Sequence, residues 1–206
     1  MATSGLYGAA FHDTIATGSI ASADAVVPLV LDAYPDTDTV TDVGCGRGWW
    51  GAAFAARGCT VTGLDGAYVT DPVIPFTAAD LTQPLPDDLP RVDLAICLEV
   101  AEHLPAERAA GLVADLTGLS DRILFSAAIP HQSGAGHVNL QWPAYWARLF
   151  RRHGYGCTDW LRWLIWDDPT IEPWYRQNIM IFDAATPTST TPPGVVHPVI
   201  HNWGRR

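Results

Sequence analysis

The chain has 206 residues, 48% of them hydrophobic, which suits one well-buried domain. It carries 22 acidic residues against 12 basic ones, a formal net charge of -10, and every basic residue is Arg. That balance argues against bulk nucleic acid as a partner, and the absence of Lys removes Schiff-base chemistry and a Lys general base. No run of about 18 uninterrupted apolar residues occurs, and no basic start leads into an apolar core, so neither a membrane partner nor a secretory leader is expected. Cys45, Cys59, Cys97 and Cys157 show no CxxC spacing, which fits small apolar residues in a reducing, cytoplasmic setting.

In chain order, residues 22–34, "SADAVVPLVLDAY", begin on a Ser cap and carry helical spacing, with Pro28 either kinking the helix or marking a later start. Strand-like runs then follow at 39–45, 59–65, 73–80, 91–98 and 122–129. Helical runs at 48–58, 105–119 and 143–155 lie among and after them. This alternation predicts a doubly wound α/β fold, a mostly parallel sheet with helices on both faces. Residues 66–73, "GAYVTDPV", are short and broken by Pro, and predict a loop or a single turn. Residues 158–166 and 176–183 read as two closing strands, seven in all. One domain is expected over 1–184, with an irregular Pro- and Thr-rich tail over 185–206.

The chemistry begins at "TDVGCGRGWW", residues 41–50. Gly44, Gly46 and Gly48 follow the first strand, at the carboxyl edge of the sheet where ligands of open parallel sheets bind. Asp65 lies 21 residues after Gly44, at the end of the second strand, where a carboxylate can bond ribose hydroxyls. The dinucleotide fingerprint G-x-G-x-x-G/A reserves for a small residue the position that Trp49 occupies, which argues against NAD. The spacing D-x-G-x-G-x-G from Asp42 to Gly48 resembles the first motif of the class I S-adenosylmethionine-dependent methyltransferases, of the small-molecule kinds.

That resemblance covers roughly residues 36–183. It implies a Rossmann-like seven-stranded sheet with an antiparallel last strand. It also implies S-adenosylmethionine as cofactor, held by Asp42, Gly44, Cys45, Gly46, Gly48, Asp65, Asp80, Leu81 and Leu98. Members that methylate the exocyclic amines of bases carry Asn/Asp-Pro-Pro-aromatic after the fourth strand. This chain has Leu98-Glu99-Val100-Ala101 there, which disfavours nucleobase N-methylation.

A helix beginning near Leu98 would place Glu99, Glu102 and His103 on one face. The segment resembles the ExxEH of ubiquinone-pathway O-methyltransferases and bacterial small-RNA 2'-O-methyltransferases. There, with a later His, it binds a divalent metal; the matching set here is Glu99, Glu102, His103 and His137, with Mg²⁺ as the implied ion. Similar segments occur in members without a metal, where the His lines the pocket, so His103 and His137 stand equally as catalytic bases. His131 is a further catalytic candidate, and Tyr7 a candidate to cover the cofactor. Six of the nine Trp lie between Trp142 and Trp174 and read as core or as a homodimer surface. The expected function is O-methylation of a small-molecule acceptor, a sugar or a specialised metabolite. The alternatives are an S-adenosylmethionine-binding module without turnover and an RNA 2'-O-methyltransferase.

Overall fold

The computed structural model describes residues 9–188 and 191–203. Seven strands form one sheet: β1 (Thr39–Val43), β2 (Thr60–Asp65), β3 (Phe76–Ala78), β4 (Leu94–Leu98), β5 (Arg122–Ser126), β6 (Gly156–Thr158) and β7 (Met180–Asp183). Their spatial order is β3-β2-β1-β4-β5-β7-β6. β1 to β5 pair in parallel, and β7 runs antiparallel to both β5 and β6. The sheet is the mixed, mostly parallel one expected. Its strand order turns back between β1 and β4, so the loops after those two strands flank a crevice at the carboxyl edge.

The central strands are apolar along nearly their whole length because both faces are covered. Side chains alternate between two cores. Ala95, Cys97, Ile123 and Phe125 point to the face covered by α3 (Ala109–Leu119) and α4 (Pro143–Arg151), where Leu112, Leu116, Trp146 and Phe150 are buried. Leu94, Ile96 and Leu124 point to the other face, under α1 (Ala9–Ala33), α2 (Trp49–Ala55), α5 (Trp160–Ile165) and α6 (Pro173–Asn178).

Four local expectations are corrected. The first helix starts at Ala9 and runs through Pro28, and Ser22 is not its cap. Ser22 Oγ donates to the Gly18 carbonyl (2.7 Å) and accepts from the Glu172 N–H (2.9 Å), so the hydroxyl docks this helix on the segment before α6. An 18-residue window of α1, Ala16–Ala33, has mean hydropathy 1.2 and is long and apolar enough to cross a bilayer. Here Ala23, Val26, Val27 and Val30 of that window are fully buried in the core. Residues 160–165 form α5 and not a strand, because Leu161 and Ile165, four apart, share the buried face. Residues 173–178 form α6, with Pro173 preset in the first turn, and only 180–183 are extended. Within the tail, residues 198–203 form α7 (Pro198–Trp203).

The Trp-rich region divides. Trp146 is fully buried beside Phe125 (ring centroids 5.1 Å apart), whereas Trp142 and Trp163 are exposed.

Candidate functional site

A cavity of about 760 Å³ opens at the carboxyl edge between the loops after β1 and β4. Its floor is the turn after β1. Gly44, Gly46 and Gly48 all have positive φ (79°, 53° and 90°), a region that side chains disfavour. A Cβ on Gly44 would lie 2.3 Å from Val100 Cγ2, and one on Gly48 would lie 2.5 Å from Ile74 Cγ1. Glycine is therefore required at those two positions by the backbone path and by the protein's own side chains. The turn exposes backbone to a ligand as a result of that path.

Three carboxylates surround the turn. Asp65 is buried and accepts the Gly46 N–H (2.7 Å), the Gly66 N–H (2.6 Å) and the Tyr68 hydroxyl. The Tyr68 bond shows that a hydroxyl reaches Asp65, as a ribose would need to. Asp42 is buried with the Gly51 N–H as donor (3.2 Å), and burial pushes its carboxyl up to about 7 against that bond. A ligand bringing an ammonium group to it would favour the charged form. Asp80 is exposed at the cavity rim, where the Thr82 hydroxyl and N–H hold its carboxyl below the usual range. The neighbouring Leu81 carbonyl accepts from Arg108 Nε (3.0 Å), and Arg108 is itself paired with Asp115, so the rim loop is fixed from behind. Cys45 and Leu98 also line the cavity. The left-handed glycine turn, the hydroxyl-accepting Asp65 and the underbonded Asp42 fit the methionine and ribose parts of S-adenosylmethionine.

The other end of the cavity is built by residues after β4. Glu99 takes φ of 56°, and its N–H bonds the Ser126 carbonyl and Oγ, both at 3.0 Å. No helix begins at Leu98. After this kink, Ala101–His103 form a single 3-10 turn. Glu99 is half-buried, with Asn178 Nδ2 at 3.0 and 3.3 Å and Gln132 Nε2 at 3.3 Å from its oxygens. Its carboxyl is pushed up to about 7, by burial first, against those bonds. Glu102 is fully buried, and neither of its side-chain oxygens has a geometrically sound donor. Burial and the nearby Glu99 carboxyl raise it well above the ordinary carboxylate range.

The Glu102 backbone carbonyl, by contrast, accepts two N–H groups, Val138 (2.8 Å) and Asn139 (3.0 Å), and Asn139 Nδ2 donates to the Ala101 carbonyl (3.2 Å). These bonds dock the arm that carries His137 against the 3-10 turn. The His103 and His137 rings meet edge to face at 4.9 Å. Burial lowers both imidazoles, His103 to about 4 with help from His137. His137 Nδ1 lies 3.2 Å from the Gln132 carbonyl and must donate to it, which leaves Nε2 as the acceptor.

One ligand atom each of Glu102, His103 and His137 lie within 4.8 Å of one another. A buried carboxylate without a donor beside two neutral imidazoles is a donor set that fits a divalent cation. Two nitrogens among three ligands suit Mn²⁺, Fe²⁺ or Zn²⁺ better than the Mg²⁺ expected, which prefers oxygen. Glu99 falls outside this trio, because Asn178 and Gln132 occupy it.

Sequence reasoning thus placed His103, His137 and Glu102 together, and it missed Gln132 and Asn139. Gln132 carries no spacing signal. His131 is exposed, with φ of 70°, and does not line the cavity. Tyr7 lies outside the described residues.

The fold is that of class I methyltransferases, and residues 41–116 match the family model described as "Methyltransferase domain". Among individual proteins, the chain is 36% identical over 80 residues to a ubiquinone biosynthesis O-methyltransferase of Pseudomonas syringae pv. tomato. That match covers 32% of this chain and 33% of the relative, so it spans about a third of each. In fold, the chain is similar to an O-methyltransferase family protein from Burkholderia thailandensis (TM-score 0.66, 16% identity, 86% of this chain and 59% of that one). It is also similar to the magnesium protoporphyrin IX methyltransferase of Synechocystis PCC 6803 with bound S-adenosylmethionine (TM-score 0.57, 23% identity, 80% and 79%).

Proposed function

We propose that this protein is an S-adenosylmethionine-dependent methyltransferase that O-methylates a hydroxyl of a small molecule. The observation that carries the reading is one cavity with two chemically distinct ends. One is the glycine and aspartate cradle. The other is a buried carboxylate with two neutral imidazoles, a hydroxyl-activating set. S-adenosylmethionine, when bound, supplies a methyl group on a sulfonium, open to in-line displacement.

The chain's part is to align and to deprotonate. Asp65 and the Gly44–Gly48 turn would hold the nucleoside and methionine portions, and Asp80 with the Leu81 backbone would border the adenine. A hydroxyl held about 3 Å from the methyl carbon gains most of its rate from that alignment. His137 Nε2, kept free of a proton by burial and by the Nδ1 bond to Gln132, can accept the hydroxyl proton as the oxygen attacks. A divalent cation held by Glu102, His103 and His137 would engage that same Nε2, and would then replace the base by supplying Lewis acidity to a coordinated hydroxyl. Glu99 fixes the neighbouring loops through Asn178 and Gln132.

The test is calorimetric titration with S-adenosylhomocysteine, followed by a search for its release from S-adenosylmethionine with sugar and phenol acceptors, with and without EDTA. Binding together with acceptor-dependent release supports the proposal. Binding without release from any hydroxyl acceptor favours a binding module. No binding removes the cofactor reading.

A further inference from the structure

One wall of the cavity lies far outside the matched 41–116 segment, on α7 and on α6, the helix whose Asn178 bonds Glu99. Trp203, the last residue of α7, lines it together with Trp174 of α6, their ring centroids 6.1 Å apart and their planes at 50°. Two indoles at that angle form the sides of an open corner.

The corner is held by buried bonds. Gln177, fully buried on α6, donates to the Val195 carbonyl (2.9 Å) and accepts the His197 N–H. His197 is also buried. Its Nε2 donates to the Trp166 carbonyl (2.9 Å), which fixes the tautomer, and its Nδ1 then accepts the Val199 N–H (3.2 Å). His197 therefore caps α7, just before Pro198 in the first helical position. Ile200 packs into the fold at 3% exposure. A tail with these ties presents Trp203 in one place, so its position is set before any acceptor arrives.

The charges around the cavity complete the argument. Its acceptor end carries the Glu102 carboxyl and the His103 and His137 rings. Among the described residues the one guanidinium on its lining, Arg47, lies over the Trp49 ring and bonds the Asp71 carbonyl. Nothing there among the described residues recommends an anionic substrate. Indole faces recommend a flat one.

We infer that Trp203, with Trp174, determines acceptor specificity, and that the corner takes an uncharged, flat, hydroxyl-bearing aromatic ring. This rests on the methyltransferase reading of the same cavity.

The test uses the full chain loaded with S-adenosylhomocysteine and two probes of one skeleton, 2-naphthol and its saturated counterpart decahydro-2-naphthol, titrated by calorimetry. 2-Naphthol should bind more tightly than the saturated alcohol. Trp203→Ala should weaken 2-naphthol by about tenfold, in line with loss of an aromatic contact and its buried area. Trp203→Phe should restore most of that loss, and S-adenosylhomocysteine affinity should change by less than about twofold in both variants. Equal binding of the two probes, unchanged 2-naphthol affinity in Trp203→Ala, or no binding of either probe to loaded protein would overturn the inference and leave the methyltransferase reading standing. Failure of S-adenosylhomocysteine to bind the unmodified chain would remove the methyltransferase reading itself.

Discussion

The two ends of the cavity are built in opposite ways. The cofactor end comes from consecutive turns of the 41–82 region, each at the end of a parallel strand, and its residues act through backbone shape and carboxylates. The acceptor end is assembled from the loop after β4, the loop after β5, α6 and α7, four places spread over about half of the chain. Its Glu102 carboxyl has no donor, where Asp65 of the cofactor end accepts three. A satisfied site is shaped for a ligand common to many proteins. An unsatisfied one waits for a particular acceptor or ion.

The largest expected effect would separate the ends cleanly. His103→Ala and His137→Ala should each lower turnover by about 100-fold or more while S-adenosylhomocysteine affinity stays nearly constant, measured by single-turnover kinetics and calorimetry. Parallel losses of binding would show that the ends are not independent. The converse variant, Asp65→Ala, should weaken S-adenosylhomocysteine by about 1.5–3 kcal/mol, the range for hydrogen bonds to a charged group. Full affinity would take Asp65 out of the site.

The pH response sharpens the comparison. If a neutral His137 imidazole is needed, activity should persist below the ordinary imidazole value of about 6.5, because burial lowers that ring, before it fails as the ring protonates. An acid limb above pH 7 would contradict this. For stability, the raised carboxyls Asp42 and Glu99 (both about 7) and Glu102 contribute most when protonated, and that contribution is lost as pH rises through their folded values. His103 acts oppositely, losing its contribution as pH falls from about 6.5 toward 4. Above about pH 6.5, where the His103 contribution is complete, the ligand-free thermal midpoint should fall as the carboxyls still protonated ionise. Glu102→Gln should flatten that fall, and added Mn²⁺ should reverse it only in the unmodified chain. A flat profile in the unmodified chain would show that these carboxyls are not buried as protonated groups.

A smaller effect is expected at Asn178→Ala, which frees Glu99. It should cost about 1–3 kcal/mol of stability in denaturant unfolding, with turnover reduced less than in the His variants. His131→Ala, at an exposed position off the cavity, should change neither binding nor turnover beyond about twofold.

The same contrast explains what was legible in the sequence. Gly44, Gly46, Gly48 and Asp65 are readable because short loops between parallel strands keep sequence spacing and spatial position linked. Glu102 and His103 were readable as neighbours, though for the wrong reason: a 3-10 turn after a left-handed Glu99 joins them, and no helical face does. Gln132 and Asn139 were not readable, because their roles arise from tertiary hydrogen bonds with no periodicity. Leu161 and Ile165 in "TDWLRWLIW" fit either a strand or a helix until burial decides, and α7 was hidden by the Pro-rich composition around it.

The glycine turn has a thermodynamic consequence. Val100 and Ile74 already press against it, so its mould is complete in the ligand-free fold and little chain remains to be ordered when a nucleoside enters. Association with S-adenosylhomocysteine should then show a heat-capacity decrement no larger than its own buried surface accounts for, without the excess that accompanies folding coupled to binding.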